Sequence, residues 1–175
     1  MRQTILRLIL LVAICGLPLA AQTPSTKDVQ VHADMNQLMR GALYPASNVV
    51  FSVQNDNPSD LKPIPGLDPS LSTDPLTSTF GGWVAVENAA LTLAESANLL
   101  IIPGRACANG VQAPIMDPAW VAFVQQLRDA GMLAYRVART RDQEKMNDVA
   151  ETLSQACAGC HRKWRDRRPA ANRCK

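Results

Sequence analysis

The sequence has 175 residues, which fits one domain, or one domain with a long loop. Hydrophobic residues make up 47% of the chain, enough for a core, whereas aromatic residues make up only 5%. Because Ala and Leu are plentiful and β-branched residues do not dominate, the composition favours helices and disfavours a β-rich fold. Lys and Arg number 18 against 15 for Asp and Glu, which excludes a strongly acidic or strongly basic chain.

The first 21 residues are predicted to be a cleaved secretory signal. Arg2 and Arg7 precede an apolar run at 8–21 that is short for a membrane span and ends in small residues. Cleavage leaves a mature domain of residues 22–175. It removes two of the 18 basic and none of the 15 acidic residues, so the net charge becomes +1. A retained membrane anchor and a lipoprotein acylated at Cys15 are the alternatives, and the bulky residue before Cys15 disfavours the second.

The first helix is predicted over residues 28–54. Its apolar face comprises Val31, Met35, Leu38, Met39 and Ala42, at spacings of three and four residues. We expect the helix to start near Asp28, and Pro45 either kinks it or opens a continuation with an apolar turn at 49–53. Five prolines within 55–79 exclude a regular helix there, so this segment is predicted to be a long Pro-rich loop.

Three more amphipathic helices follow the loop. The face of the first comprises Trp83, Val86, Ala90, Leu93, Ala97 and Leu100. The face of the second comprises Trp120, Phe123, Leu127, Ala130, Ala134 and Val137. The face of the third comprises Met146, Val149, Leu153, Ala156, Cys160 and Trp164. Together the four helices predict an all-α, antiparallel four-helix bundle with the long loop between its first two helices.

The ends of these helices have recognisable capping residues. Pro103 and Gly104 end the second helix of the chain. Asp117 is the expected N-cap of the third, with Pro118 at its first position. Thr140 is predicted to open the fourth helix, since Gln143 three residues later would complete a T-x-x-Q capping box.

The sequence Cys157-Ala-Gly-Cys160-His161 lies late in the fourth helix and admits several chemistries. Cys157, Cys160 and His161 share one side of a helix. A thioredoxin-like thiol couple needs the N-terminus of a helix, where the dipole lowers a thiol pKa. A structural zinc site needs four ligands, and the chain has no second ligand pair. Two buried structural thiols would leave the neighbouring histidine without a purpose.

Covalent attachment of haem c accounts for every part of this motif. Each of Cys157 and Cys160 can form a thioether with a haem vinyl group, and His161 then becomes the proximal iron ligand. Bacterial attachment of haem c takes place outside the cytoplasm, in agreement with the predicted signal. Cys107 and Cys174 are left as a disulfide pair in an oxidising compartment or as two free thiols.

With these features the chain resembles cytochrome c-prime and its methionine-ligated, six-coordinate relatives, the class II c-type cytochromes. The resemblance rests on C-x-x-C-H at 157–161 followed by Trp164 and Arg165, and more loosely on the helices at 28–54 and 80–168. The family usually has tyrosine or phenylalanine where Trp164 stands, and the Pro-rich loop is a second departure. The resemblance implies that Trp164 and Arg165 surround the haem, with Arg165 close to its proximal face.

The resemblance also implies that the first helix covers the distal side of the haem. Met39 or Met35 would then be the distal ligand, and the protein would be a single-electron carrier rather than an enzyme. Methionines at helical spacing are also ordinary core residues, and His32 is the weakest ligand candidate. An open distal side would instead give a five-coordinate binder of small gases such as nitric oxide. A non-haem helical bundle that binds a metal or a protein partner is the third hypothesis.

The C-terminal segment is predicted to dock a partner or to end a helix in water. Its cations are Arg162, Lys163, Arg165, Arg167, Arg168, Arg173 and Lys175, against Asp166 alone. These charges suit an acidic redox partner, and they also complement a helix dipole. Nucleic acid is not expected for a periplasmic or otherwise exported chain without interleaved aromatic residues. Homodimers occur in the family that the chain resembles.

Overall fold

A computed structural model describes residues 29–166 together with 169, 173 and 174. The α-helices are α1 (Met35–Leu38), α2 (Tyr44–Ser52), α3 (Trp83–Leu99), α4 (Pro118–Ala138) and α5 (Gln143–His161). Two π-helical turns, Met39–Leu43 and Arg162–Asp166, join α1 to α2 and extend α5. We call α1, the first π turn and α2 together the first helical segment. In the described part of the chain there is no β-strand, apart from an isolated bridge between Ala106 and Gln112.

The first helical segment begins seven residues later than the sequence suggested. Residues 29–34 are not helical, and α1 starts after Asp34, so the prediction of a start near Asp28 is wrong. The Asp34 carboxylate accepts from the Gln37 backbone N–H at 2.8 Å, and the Gln37 side chain accepts from the Asp34 N–H at 2.9 Å. This capping box satisfies two backbone donors, the N–H groups of Asp34 and Gln37, which fixes the start of α1 after Asp34.

Pro45 lies in the first turn of α2, directly after the first π turn. Proline has no N–H to donate and its ring crowds the carbonyl four residues earlier, so a regular α-helix would be interrupted there. The wider π turn, in which the Tyr44 N–H donates to the Met39 carbonyl, lets the chain continue in the same direction. The predicted continuation through 49–53 is therefore present, with Val49, Val50 and Val53 buried.

Four helices, counting the first helical segment as one, pack together around a shared core. The segment packs on α3, α3 on α4, and α4 on α5, while α2 also contacts α5. Where α3 and α4 meet, a Cβ on Gly131 would lie 2.8 Å from the backbone nitrogen of Ala94, so only glycine allows this approach. The predicted core faces of α3 and α5 are buried apart from Cys160, which is half-buried.

The N-cap of α5 lies two residues later than predicted. Asp142 is the N-cap and accepts from the Lys145 N–H at 3.0 Å, so the predicted capping box at Thr140 is wrong. The Thr140 hydroxyl instead donates back to the Val137 carbonyl, at the end of α4. The Gln143 side chain donates to the Val53 carbonyl at 2.7 Å, which ties the start of α5 to the end of the first helical segment.

Between α2 and α3 the chain forms two 3₁₀ turns, Pro69–Leu71 and Pro75–Thr77, each capped by an aspartate. Leu76 is buried in this region, and the Trp83 indole N–H donates to the Ser59 hydroxyl at 2.8 Å. These contacts hold the segment against the start of α3.

The connection between α3 and α4 joins three distant parts of the chain. The guanidinium of Arg105 is buried and donates to the carbonyls of Leu99 and Ala33, at 2.8 and 2.5 Å. The Met35 N–H donates to the Ala106 carbonyl at 2.8 Å. Cys107, 2% exposed, forms a disulfide with Cys174, and the Cys174 N–H donates to the Trp164 carbonyl. The start of the first helical segment and the end of the chain are therefore both fastened to this connection.

Residues 1–28, including the predicted signal and Cys15, lie outside the described part of the chain, as do Arg167, Arg168 and Lys175. Residues 1–30 and 31–175 separate into two units, and only Val29 and Gln30 of the first are described. Among the described helices, none is long and apolar enough to cross a membrane.

Candidate functional site

A cavity of about 750 Å³ lies inside the bundle, and all four helices line it. This volume is within the range of 300–1,000 Å³ that small-molecule and cofactor sites occupy. The lining is mainly apolar, and α3, the residue after it and α4 contribute Leu93, Leu100, Trp120, Phe123, Val124 and Leu127. The chemically distinctive side chains lie on two other walls, α5 and the first helical segment.

The α5 wall brings together the three residues of the predicted motif. Cys157, Cys160 and His161 all line the cavity, and they occupy the last turn of α5 before the second π turn. Both thiols are free and half-buried. A Cβ on Gly159 would lie 2.7 Å from Cε1 of Phe123, so the glycine between the cysteines lets this turn approach α4 closely.

Burial is the main influence on the protonation states of Cys157, Cys160 and His161. It raises the pKa of the Cys157 thiol, and burial together with the neighbouring Cys157 raises the pKa of Cys160 to about 11. At neutral pH both sulfurs are therefore thiols, unlike the low-pKa thiolate of a redox couple. Burial, and secondarily the positive charge of Arg165, lower the pKa of the His161 imidazole. Neutral imidazole is the form that binds a metal.

Trp164 and Arg165 follow on the second π turn, and both line the cavity. Trp164 is buried and meets the Trp120 ring edge-to-face with centroids 5.6 Å apart, while Lys163 lies 4.9 Å from its ring centre. The Arg165 side chain is half-exposed and forms an ion pair with Asp166 at 2.7 Å. The two residues therefore border the same cavity as the motif.

Another wall of the cavity is the first helical segment, and it holds both methionines that the sequence singled out. Met35 and Met39 line the cavity, Met35 4% exposed and Met39 half-buried. Met39 is the first residue of a π turn. π turns are rare in proteins as a whole, and those that occur are frequently found at functional sites. His32 is exposed and is absent from the lining.

Several lining residues were not predicted as part of a site. Trp120, Phe123 and Leu127 were assigned to the core face of α4, and the cavity opens within that face. The sequence did not indicate that Arg40 and Tyr44 line a site, because their position on the cavity wall depends on the π turn. Cys174 was noted only as a disulfide candidate, although the disulfide brings it to the cavity edge.

In the described part of the chain, no group of three or more His, Cys, Asp and Glu side chains is arranged to hold a metal ion by itself. The side chains on the α5 wall nevertheless suit a porphyrin. Two thiols and a neutral imidazole border an apolar cavity of sufficient size, and two thioethers line the same cavity. Comparisons of the chain with protein-family models, curated proteins and solved structures gave no match.

Proposed function

We propose that this protein is an exported mono-haem c-type cytochrome that carries single electrons. The observation that carries the proposal is the composition of the cavity walls: Cys157, Cys160 and His161 on α5 line the same cavity as Met35 and Met39. The four helices would alternate in direction as an antiparallel bundle, which is the arrangement that places cofactors between facing helices.

Each part of the α5 wall has a role in this proposal. The Cys157 and Cys160 sulfurs would bind the haem covalently, and one nitrogen of His161 would bind its iron from the proximal side. When bound, the haem supplies a one-electron Fe(III)/Fe(II) couple. The apolar side chains of α3 and α4 would limit the access of water to the haem, and Trp164 and Arg165 would lie beside it. Met39 or Met35 would occupy the distal position, and thioether ligation raises the reduction potential.

Partner binding would use the basic end of the chain. Arg162, Lys163 and Arg165 are exposed or half-exposed around the motif and suit a redox partner with an acidic surface. The predicted signal and the Cys107–Cys174 disulfide are both consistent with a periplasmic or other oxidising location.

The direct test is a haem stain after denaturing electrophoresis of the chain produced in a host that attaches haem c. We expect a stained band for the wild type and none for Cys157→Ala/Cys160→Ala. Cys107→Ser/Cys174→Ser is the matched control, because it also removes two sulfurs and should keep the stain. A colourless wild-type band would refute the proposal and favour a non-haem bundle that binds a metal or a protein partner.

Binding of a small gas such as nitric oxide at a five-coordinate haem is the second candidate. This candidate applies if neither Met35 nor Met39 binds the iron, because the distal position would then stay open to a diatomic ligand. Spectroscopy separates the two candidates. A low-spin ferric spectrum and slow CO binding support the electron carrier. A high-spin ferric spectrum and rapid CO binding support the gas binder.

A further inference from the structure

The first helical segment presents a polar row beside its methionines. Asn36, Arg40, Tyr44 and Asn48 follow one another at four-residue spacing, and all four line the cavity. Arg40, Tyr44 and Asn48 are exposed and Asn36 is half-buried, so this polar row forms the water-facing edge of the cavity. Side chains with hydrogen-bond donors thus follow the rim over three helical turns.

The π turn keeps the polar row on the cavity. In a regular α-helix, residues four apart overshoot a full turn, so a row at this spacing winds away from its starting face. A π turn takes up an additional residue and therefore reduces the overshoot. The inner row follows the same course, since Met35, Met39, Leu43, Ser47 and Phe51 also line the cavity.

Charge makes the rim selective for anions. Among the described residues that line the cavity, Arg40 and Arg165 are the charged ones, and none is Asp or Glu. Arg165 already has an ion pair with Asp166. Arg40 forms no ion pair or side-chain hydrogen bond with any residue between 29 and 166. Its guanidinium faces water at the cavity edge with its donors available.

We propose that the polar row is a carboxylate-binding edge, in which Arg40, assisted by Tyr44 and Asn48, binds the propionates of the haem. The inference rests on the proposed function. A porphyrin of this type carries its vinyl groups and its propionates on opposite edges. Attachment of the vinyls to Cys157 and Cys160 would therefore turn the carboxylates away from the α5 wall, towards the rim. Guanidinium is well suited to a carboxylate, which it can bind through two parallel N–H donors.

The first test uses the haem-loaded chain with Arg40→Gln and, as a matched control, Arg136→Gln. Arg136 is also an exposed helical arginine but lies on α4 and does not line the cavity. Loss of a positive charge near the haem favours the ferric form. We therefore expect Arg40→Gln to lower the equilibrium constant for reduction about two- to fivefold, with a smaller change at high salt. Equal shifts in the two variants would overturn the inference.

The second test isolates the carboxylates, using the full chain with Cys157→Ala/Cys160→Ala so that no thioether forms. Affinities are measured for ferric protoporphyrin and for its dimethyl ester, with circular dichroism to verify folding of each variant. Adding Arg40→Gln should weaken binding of the free acid about two- to fivefold, the effect of an exposed ion pair, and leave binding of the ester unchanged.

The outcomes separate the two levels of the proposal. Equal losses for acid and ester, or none for either, overturn the carboxylate-binding edge while covalent haem in the wild type still supports the cytochrome. A wild-type chain without covalent haem overturns both.

Discussion

The two walls of the cavity are built in different ways. On α5 the functional side chains follow from one short motif on a regular helix: Cys157, Cys160 and His161 face the same side because they are three and four residues apart. On the first helical segment, Met35 and Met39 reach the cavity through a capping box at Asp34 and a π turn. The three motif residues are encoded locally, whereas the two methionines depend on backbone irregularities.

This contrast indicates where the chemistry can vary. The positions of Cys157, Cys160 and His161 change only if the motif itself changes. The facing wall would rotate its side chains if the π turn became a regular α-helical turn, without substitution of either methionine. We therefore expect the α5 wall to determine whether a haem is bound and the first helical segment to determine what the haem can do.

The largest expected effect concerns the distal ligand. Met35→Leu and Met39→Leu nearly conserve volume, so the fold should persist in both. We expect one of them to convert the haem from low-spin, six-coordinate to high-spin, five-coordinate iron with rapid CO binding, and the other to leave the ferric spectrum unchanged. Absorption spectra with and without CO measure this. If both variants stay low-spin, neither methionine is the ligand.

The next effect concerns the disulfide that joins the α3–α4 connection to the end of the chain. It closes a loop with a sequence separation of 67. Cys107→Ser/Cys174→Ser should lower the free energy of unfolding by about 4 kcal/mol, because the unfolded chain regains the entropy of that loop. Urea denaturation measures the loss. A reducing agent should destabilise the wild type by the same amount and leave the variant unaffected, and a variant as stable as the wild type would contradict the expectation.

A third comparison uses two glycines at close helix contacts. Gly131→Ala should cost about 1–3 kcal/mol, since its Cβ would meet the Ala94 backbone at 2.8 Å, which cannot move alone. Gly159→Ala meets only the tip of the Phe123 ring, at 2.7 Å, and alanine favours a helix, so its net effect should stay within about 1 kcal/mol. Thermal unfolding ranks the two, and the reverse order would contradict the packing argument.

The smallest effect is the pH dependence at the start of α5. The hydrogen bond and ion pair with Lys145 hold the pKa of the Asp142 carboxyl below its ordinary value. The ionised carboxylate therefore stabilises the fold fully at pH values above the ordinary pKa. This stabilisation is lost as the pH falls through the lowered pKa. Asp142→Asn keeps a capping oxygen but removes the charge. Its melting temperature should lie slightly below that of the wild type near neutral pH and coincide with it at about pH 2. If the two melting temperatures still differed by the same amount at low pH, the ionisation of Asp142 would not be the cause of the difference.

Much of the helical architecture could be predicted from the sequence. The core faces of α3 and α5 were found from residue spacing alone, and Asp117 with Pro118 marked the start of α4 correctly. Local interactions sufficed in each case. The errors at Asp28 and Thr140 share one cause, since in each case an aspartate closer to the helix competes for the backbone donors and wins.

The candidate site was predictable only in part. The motif on α5 placed three lining residues, and helical spacing drew attention to Met35 and Met39. Arg40, Tyr44 and Phe123 could not be predicted, because the π turn and the close approach at Gly159 decide whether they reach the cavity. Such features arise from packing between helices and leave no pattern in the order of residues.

The disulfide also has a consequence for how the chain matures. The four cysteines outside the predicted signal could form two disulfides in three different ways, and each of these would use both Cys157 and Cys160. Of these four cysteines, Cys107 and Cys174 form a disulfide in the structure, whereas Cys157 and Cys160 are free thiols. Because burial keeps the sulfurs of Cys157 and Cys160 protonated, they exchange slowly with a neighbouring disulfide once the helices have packed. If the chain is exported as proposed, early packing of α5 would thus keep Cys157 and Cys160 as thiols in an oxidising compartment.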